Sequence, residues 1–216
     1  MDEESALWIV VGLGNPGSTY QGNRHNVGFM VADRLAEGSS LQWQRSERFA
    51  AELCRGRLAR AEVLLVKPQT YMNLSGRSVA PLAQFYDVPI GQIAVVHDDV
   101  DLELGRLKVK AGGGDGGHKG LRSLGQELGS PEFVRIRVGV GRPVQGDVTD
   151  HVLQDFSAEE QAPVADQVGR AADAVIAILT RGLRSAMNTY NVRPSRPDEE
   201  EHEEGEPTKE QAGTTQ

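Results

Sequence analysis

One cysteine in 216 residues excludes an internal disulfide and cannot by itself supply a zinc site. That scarcity fits a reducing cytoplasm. Cys54 lies in an apolar-alternating stretch and reads as core filler rather than a nucleophile. No apolar run approaches the roughly 20 residues that a membrane helix needs. The N-terminal MDEESALW lacks the apolar segment of a signal peptide, so none is expected there. Five histidines without paired spacing such as HExxH argue against a metal site. There is no internal repeat. Basic charge is not in excess either: Lys and Arg number 23 against 31 Asp and Glu, a net of −8.

That acidity is local. From Arg196 the chain reads RPDEEEHEEGEPTKEQAGTTQ, without apolar periodicity, so residues 193–216 are expected to form a disordered acidic tail. Residues 1–195 hold 23 acidic and 21 basic residues. Global charge therefore neither supports nor excludes a polyanionic partner. Residues 1–192, with 38% hydrophobic content in the whole chain, are enough for one domain with a full core.

Short apolar runs at Leu7–Leu13 and Ile93–His97 read as buried strands, and residues 50–66 as a hairpin. Leu107–Lys110 and Val134–Val140 alternate like half-buried strands. Helical stripes follow Asn26, Asn73, His118 and Ser157, with Asn26 and Asn73 as expected N-caps and Ser157 with Glu160 as a capping box. A short last helix spans Leu183–Tyr190. Residues 42–50 remain ambiguous. Strands alternating with helices predict an α/β domain with a twisted mixed sheet flanked by helices.

The stretch VGLGNPGSTYQGNRHN, from Val11 to Asn26, leads a strand into a polar glycine turn. Functional groups in open α/β sheets collect at such strand ends. Gly12, Gly14 and Gly17 fit GxGxxG, but the helix begins near Asn26 instead of at the third glycine, which argues against a dinucleotide site. His25 is either a packing histidine or a base, with Asp98 and Asp99 at another strand end as orienting carboxylates. Asp98, Asp99 and Asp101 could equally hold Mg²⁺, and spacing alone does not choose. Gly112–Gly117 suits a phosphate cradle or a flexible lid about equally. Lys108 with Lys110, and Arg135 with Arg137, form two basic strand faces. Pattern alone favours solvated surfaces over a phosphate clamp. Asn15 and Asn73 have amides able to read a carbonyl or a ribose, or simply to shape turns.

Taken in order, GLGNPGxxYxxxRHNxG (Gly12–Gly28), KPQTYMNLSG (Lys67–Gly76), HDDVDLxxGRLKVKxGGGxGGHKGLRS (His97–Ser123) and FVRIRVGVGRP (Phe133–Pro143) closely resemble bacterial peptidyl-tRNA hydrolase. The resemblance covers about residues 7–190 and leaves out the acidic tail. It implies a monomeric α/β enzyme that cleaves the ester between a peptide and the 3′-terminal ribose of tRNA, recycling tRNA from stalled ribosomes. It implies no metal and no cofactor. The family's catalytic histidine falls on His25, its supporting aspartate on Asp98, and its peptidyl-selecting asparagine on Asn15. Tyr20, Tyr71, Met72 and Asn73 fall on the substrate cleft, and His118 on a cleft histidine. Lys110 and Arg137 match the basic pair for the tRNA 5′-phosphate, with Lys108 close by. The family's usual asparagine after that cleft histidine is Lys119 here, which can only donate and adds charge. Lys119 therefore opens an alternative: a relative that binds tRNA with weak or no hydrolysis.

Overall fold

The computed structural model describes residues 6–192, so the expectation of a disordered acidic tail lies outside the described residues. A seven-stranded sheet runs in the order β2-β3-β4-β1-β5-β7-β6. Its strands are β1 (Trp8–Gly12), β2 (Gln44–Ser46), β3 (Ala51–Leu58), β4 (Ala61–Pro68), β5 (Ile93–Asp99), β6 (Leu107–Ala111) and β7 (Val134–Gly139). The four central strands β4, β1, β5 and β7 are parallel, and the outer pairings are antiparallel. The mixed α/β sheet is therefore the one the pattern predicts. The helices are α1 (Val27–Gly38), α2 (Ser75–Phe85), α3 (Lys119–Glu127), α4 (Val148–Val152), α5 (Gln161–Arg181) and α6 (Leu183–Tyr190).

Period-2 alternation gives each central strand two apolar faces, and each face has its own core. Val10, Val96, Ile136 and Val138 pack with Val31, Leu35, Val175 and Ile178 of α1 and α5. Ile9, Val11, Leu64 and Val95 pack with Val79, Leu82, Leu121 and Leu124 of α2 and α3. Burying one such side chain is worth roughly 1.5–3 kcal/mol, so the two layers fix the sheet between its helices. Parallel β4, β1, β5 and β7 then deliver four loops to one edge, beside the switch point at β1.

The glycine motif serves this packing. A Cβ on Gly28 would lie 2.4 Å from Leu13 N and 2.5 Å from Val96 O, and one on Gly12 would lie 2.2 Å from Gly28 O. Two glycines thus let the start of α1 touch the ends of β1 and β5. Gly14 leaves room for the Phe29 ring. The dinucleotide pattern is a close helix-to-strand contact, as the late helix start suggests.

Some local expectations fail. Leu74, not Asn73, occupies the N-cap of α2, because Met72–Leu74 first makes a 3₁₀ turn. Asn26 stands at the N-cap of α1, but its side chain bonds elsewhere. Glu160 does bond the Ser157 amide, at 2.7 Å, yet α5 starts one residue after Glu160. The ambiguous stretch contains the short edge strand β2.

Candidate active site

The loops after β1, β4, β5 and β7, together with the glycine loop between β6 and α3, enclose a cleft of about 790 Å³, within the range of small-ligand sites. It is lined by Asn15, Tyr20, His25, Tyr71, Met72, Asn73, Asp98, Lys110, His118, Lys119 and Arg137, among others. Eleven of the twelve site residues expected from the sequence therefore meet in one place. Lys108 does not line the cleft: it is exposed on β6, directly across from Arg137.

His25 lies in a 3₁₀ turn, Arg24–Asn26, held over the end of β5. Asn26 anchors that turn by accepting from Asn15 N at 2.8 Å and donating to Asn15 O at 2.9 Å. Arg24 anchors its other side through Glu160, at 2.6 Å. His25 Nδ1 then meets Asp98 Oδ1 at 2.8 Å, 73 positions along the chain. A carboxylate accepts, so the proton sits on Nδ1 and the lone pair on Nε2, at the ring's opposite edge. His25 keeps 12% side-chain exposure, and Asp98 keeps 3%.

Burial opposes the charged form of Asp98, but the His118 and His25 imidazoles that donate to it hold its carboxyl well below the usual range. His118 Nε2 reaches the same Oδ1 at 2.9 Å. His97 lies behind this pair, donating Nδ1–H to its neighbour's carbonyl, Asp98 O, at 2.7 Å. Burial pushes the His97 imidazole down to about 3, so it is neutral, and its ring edge packs on His118 at 5.1 Å.

Asn15 is buried and fixed: its Oδ1 accepts from Met72 N at 2.8 Å. That bond, with the Asn26 pair, ties the β1 loop to the turn after β4. Among the described residues the Asn15 Nδ2 donor has no partner, so it is available to a group in the cleft. Asn73 and Tyr71 are exposed at the rim beside it, while Met72 is 3% exposed and packs inward.

The three aspartates do not converge on an ion. Asp98 accepts from two histidines, Asp99 from Arg137 Nε at 2.5 Å, and Asp101 from Arg142 Nη2 at 2.5 Å. His25, Asp98 and His118 do place ligand atoms within 4.8 Å of one another. They are already joined by hydrogen bonds, however, and the N–H of each imidazole occupies the position a metal would take. The magnesium alternative that spacing left open therefore finds no support in these separately paired carboxylates.

The basic faces are also resolved. Lys108 stands opposite Arg137 and Lys110 opposite Arg135 across the β6–β7 pair. Arg135 is 3% exposed and donates to the carbonyls of Gly113, Gly114 and Pro131. It therefore binds the glycine loop in place. Gly113 has φ 105°, and the Lys110 ammonium lies so close that a Cβ there would be 2.3 Å from Nζ. The loop is thus tethered at Gly113 and Gly114 through its carbonyls, which argues against a wholly loose lid. Arg137 is shared with Asp99, leaving Lys110 and exposed Lys119 as the less neutralised cations of the cleft.

Sequence reasoning missed the far wall, made by Arg142, Val148, Thr149, Val152 and Leu153 around α4. Its only signal was Asp147 before Val148-Thr149, an N-cap whose carboxylate accepts from Thr149 N at 2.6 Å.

The chain is similar to known proteins over most of its length. The profile of the peptidyl-tRNA hydrolase family matches residues 9–200. The peptidyl-tRNA hydrolase of Geobacter sulfurreducens is 51% identical over 186 residues, covering 86% of this chain and 96% of its own. That of Mycolicibacterium smegmatis is 50% identical over 184 residues, covering 85% and 96%. The crystal structure of peptidyl-tRNA hydrolase from Acinetobacter baumannii superposes with a TM-score of 0.82 at 35% identity, covering 89% of this chain and 98% of its own. With motifs, sheet and identity in agreement over most of its length, the chain belongs to the peptidyl-tRNA hydrolase family.

Proposed function

We propose that this chain hydrolyses the ester joining a peptide, or an N-blocked amino acid, to the 3′-terminal ribose of tRNA. The observation that carries the reading is the His25–Asp98 hydrogen bond of 2.8 Å at a cleft also lined by Asn15, Asn73 and Lys110. In the proposed sequence His25 Nε2 takes a proton from water as that water attacks the ester carbonyl. Asp98 stabilises the imidazolium that results. Collapse of the tetrahedral intermediate breaks the bond to the ribose oxygen, which takes the proton back from His25. A positioned base contributes typically ~10²–10⁴-fold. Ribose is a better leaving group than an amine, so no covalent nucleophile is required.

Asn15 Nδ2 and Asn73 are the donors proposed to orient the peptide and share the developing oxyanion charge. Tyr20, Tyr71 and Met72 line the path of the acyl end. Lys110, Arg137, Lys119 and Lys108 are the residues proposed toward the tRNA side; Lys108 would meet backbone beyond the cleft. Contacts to phosphate carry no sequence information, which suits an enzyme acting on many tRNAs. We further infer a monomeric, cytoplasmic protein that recycles tRNA during translation; no helix among the described residues is long and apolar enough to cross a membrane. Relatives at about 50% identity are named as hydrolases, so binding without cleavage is not favoured by Lys119 alone. The test is peptide release from an N-blocked aminoacyl-tRNA by the full chain and by His25→Ala and Asp98→Ala.

A further inference from the structure

His118 carries more constraint than a cleft-lining side chain needs. It follows Gly116 and Gly117, both at positive φ (57° and 84°), and takes an extended φ of −72° and ψ of 111° at the N-cap of α3. Serine, threonine, aspartate and asparagine usually hold that position. Here the ring does so: Nδ1 accepts from Gly120 N at 3.1 Å and Leu121 N at 3.3 Å. An Nδ1 that accepts two amides carries no proton. The proton of the neutral ring is therefore on Nε2, which donates to Asp98 Oδ1 at 2.9 Å. Protonating Nδ1 would turn an N–H toward two N–H groups at the positive end of a helix, so a single tautomer is selected.

This has two consequences. Both ring nitrogens are used inside the protein, so His118 keeps no polar atom to offer tRNA or peptide. And its fixed Nε2–H demands an acceptor at one point in space, which holds the Asp98 carboxylate with Oδ1 turned to it. That same oxygen accepts from His25 Nδ1. The ring centroids of His25 and His118 stand 5.0 Å apart, tilted by 47°, as both donate to this one oxygen.

We propose that His118 is a positioning residue for hydrolysis, fixing Asp98 and through it the tautomer and aim of His25, and is not a substrate contact. The inference rests on the hydrolase reading above. It assigns to the backbone amides of α3 the role of setting, through two hydrogen-bonded rings and one carboxylate, where the lone pair of the base points.

The informative substitution is His118→Asn. Asparagine is a preferred N-cap, so its oxygen can still accept from the α3 amides, while its amide nitrogen ends short of Asp98. The full chain, His118→Asn, Asp98→Asn and the double variant are compared in steady-state hydrolysis of an N-blocked aminoacyl-tRNA, with thermal melts alongside. A hydrogen bond to a charged group, read through the transition-state relation, predicts a fall of about 10–100-fold in kcat with KM within about threefold. In the Asp98→Asn background His118 is what keeps the asparagine oxygen, and not its NH₂, turned to His25, so the second substitution should cost more there than in wild type. A raised KM with unchanged kcat, or the same loss in both backgrounds, overturns the proposal. If His118→Asn fails to fold, the wild-type tautomers decide: long-range ¹H–¹⁵N correlation should show His118 protonated on Nε2 and His25 on Nδ1. Protonation of His118 on Nδ1 overturns the proposal without any variant. An inactive wild-type chain would instead refute the hydrolase reading, and the tautomer measurement would still decide this one.

Discussion

Asp98→Asn separates two jobs of one carboxylate. In wild type, Asp98 Oδ1 accepts from His25 at 2.8 Å and from His118 at 2.9 Å. An asparagine could turn its NH₂ to His25, which would force the wrong tautomer and cost on the order of 10⁴-fold, as in a serine-protease triad. The neighbour forbids this. His118 has only an N–H to present, since its other nitrogen caps α3, so the asparagine must keep oxygen at the shared point. The tautomer of His25 survives and only the charge is lost. An imidazolium and a carboxylate with charge centres about 4 Å apart attract by about 4 kcal/mol at an effective dielectric of 20. At 1.36 kcal/mol per decade that is a ceiling of about 10³-fold, and partial charge development in the transition state lowers it. The expected outcome is a 10²–10³-fold fall in kcat with little change in KM. Initial rates of peptide release from N-blocked aminoacyl-tRNA at fixed pH measure it. A loss beyond 10⁴-fold would refute the tautomer reasoning, and a loss under threefold would refute any electrostatic role for Asp98.

Other outcomes follow from single contacts. Gly28→Ala drives a Cβ into Leu13 and Val96 backbone atoms, so it should cost at least about 1–3 kcal/mol and lower Tm by several degrees. His97 titrates near 3 folded against about 6.5 unfolded, so the unfolded chain binds the extra proton. Its contribution to stability is complete above about pH 6.5 and falls as pH drops toward 3. Denaturant melts of His97→Gln should therefore show a flatter pH slope between 6 and 4.5, above the window where Asp98 begins to protonate. For Lys110→Ala, tRNA affinity should fall at low salt and the slope of log K against log salt should shrink by about 0.7–0.9.

The sheet was legible because apolar runs and turn residues report burial directly. Ile93–Asp99 is a strand for the same reason that Val95 and Val96 are core. β2 was not, since Gln44, Arg45 and Ser46 sit on an exposed edge where no periodicity is enforced. α4 is too short and polar to show a stripe. Candidate site residues were legible as residue types at strand ends, and His25 with Asp98 followed from the motif order. Their partners were not. That Asp99 takes Arg137 and Asp101 takes Arg142 depends on how loops cross in space, which spacing cannot encode. His118 was seen as a cleft residue, but its capping nitrogen was hidden because histidine is an unusual N-cap. Gly12 and Gly14 matched a nucleotide pattern for a reason of packing, while Gly17, at φ 106°, shapes the turn; the late helix start signalled the difference, and the approach of α1 to β1 shows its cause.

The central claim is that His25 is the base that activates water. Its most direct test is single-turnover peptide release from an N-blocked aminoacyl-tRNA by wild type and His25→Ala, with tRNA binding measured on the same samples. The account predicts unchanged binding and a rate reduced by at least about 10²-fold. Near-normal turnover by His25→Ala would contradict it.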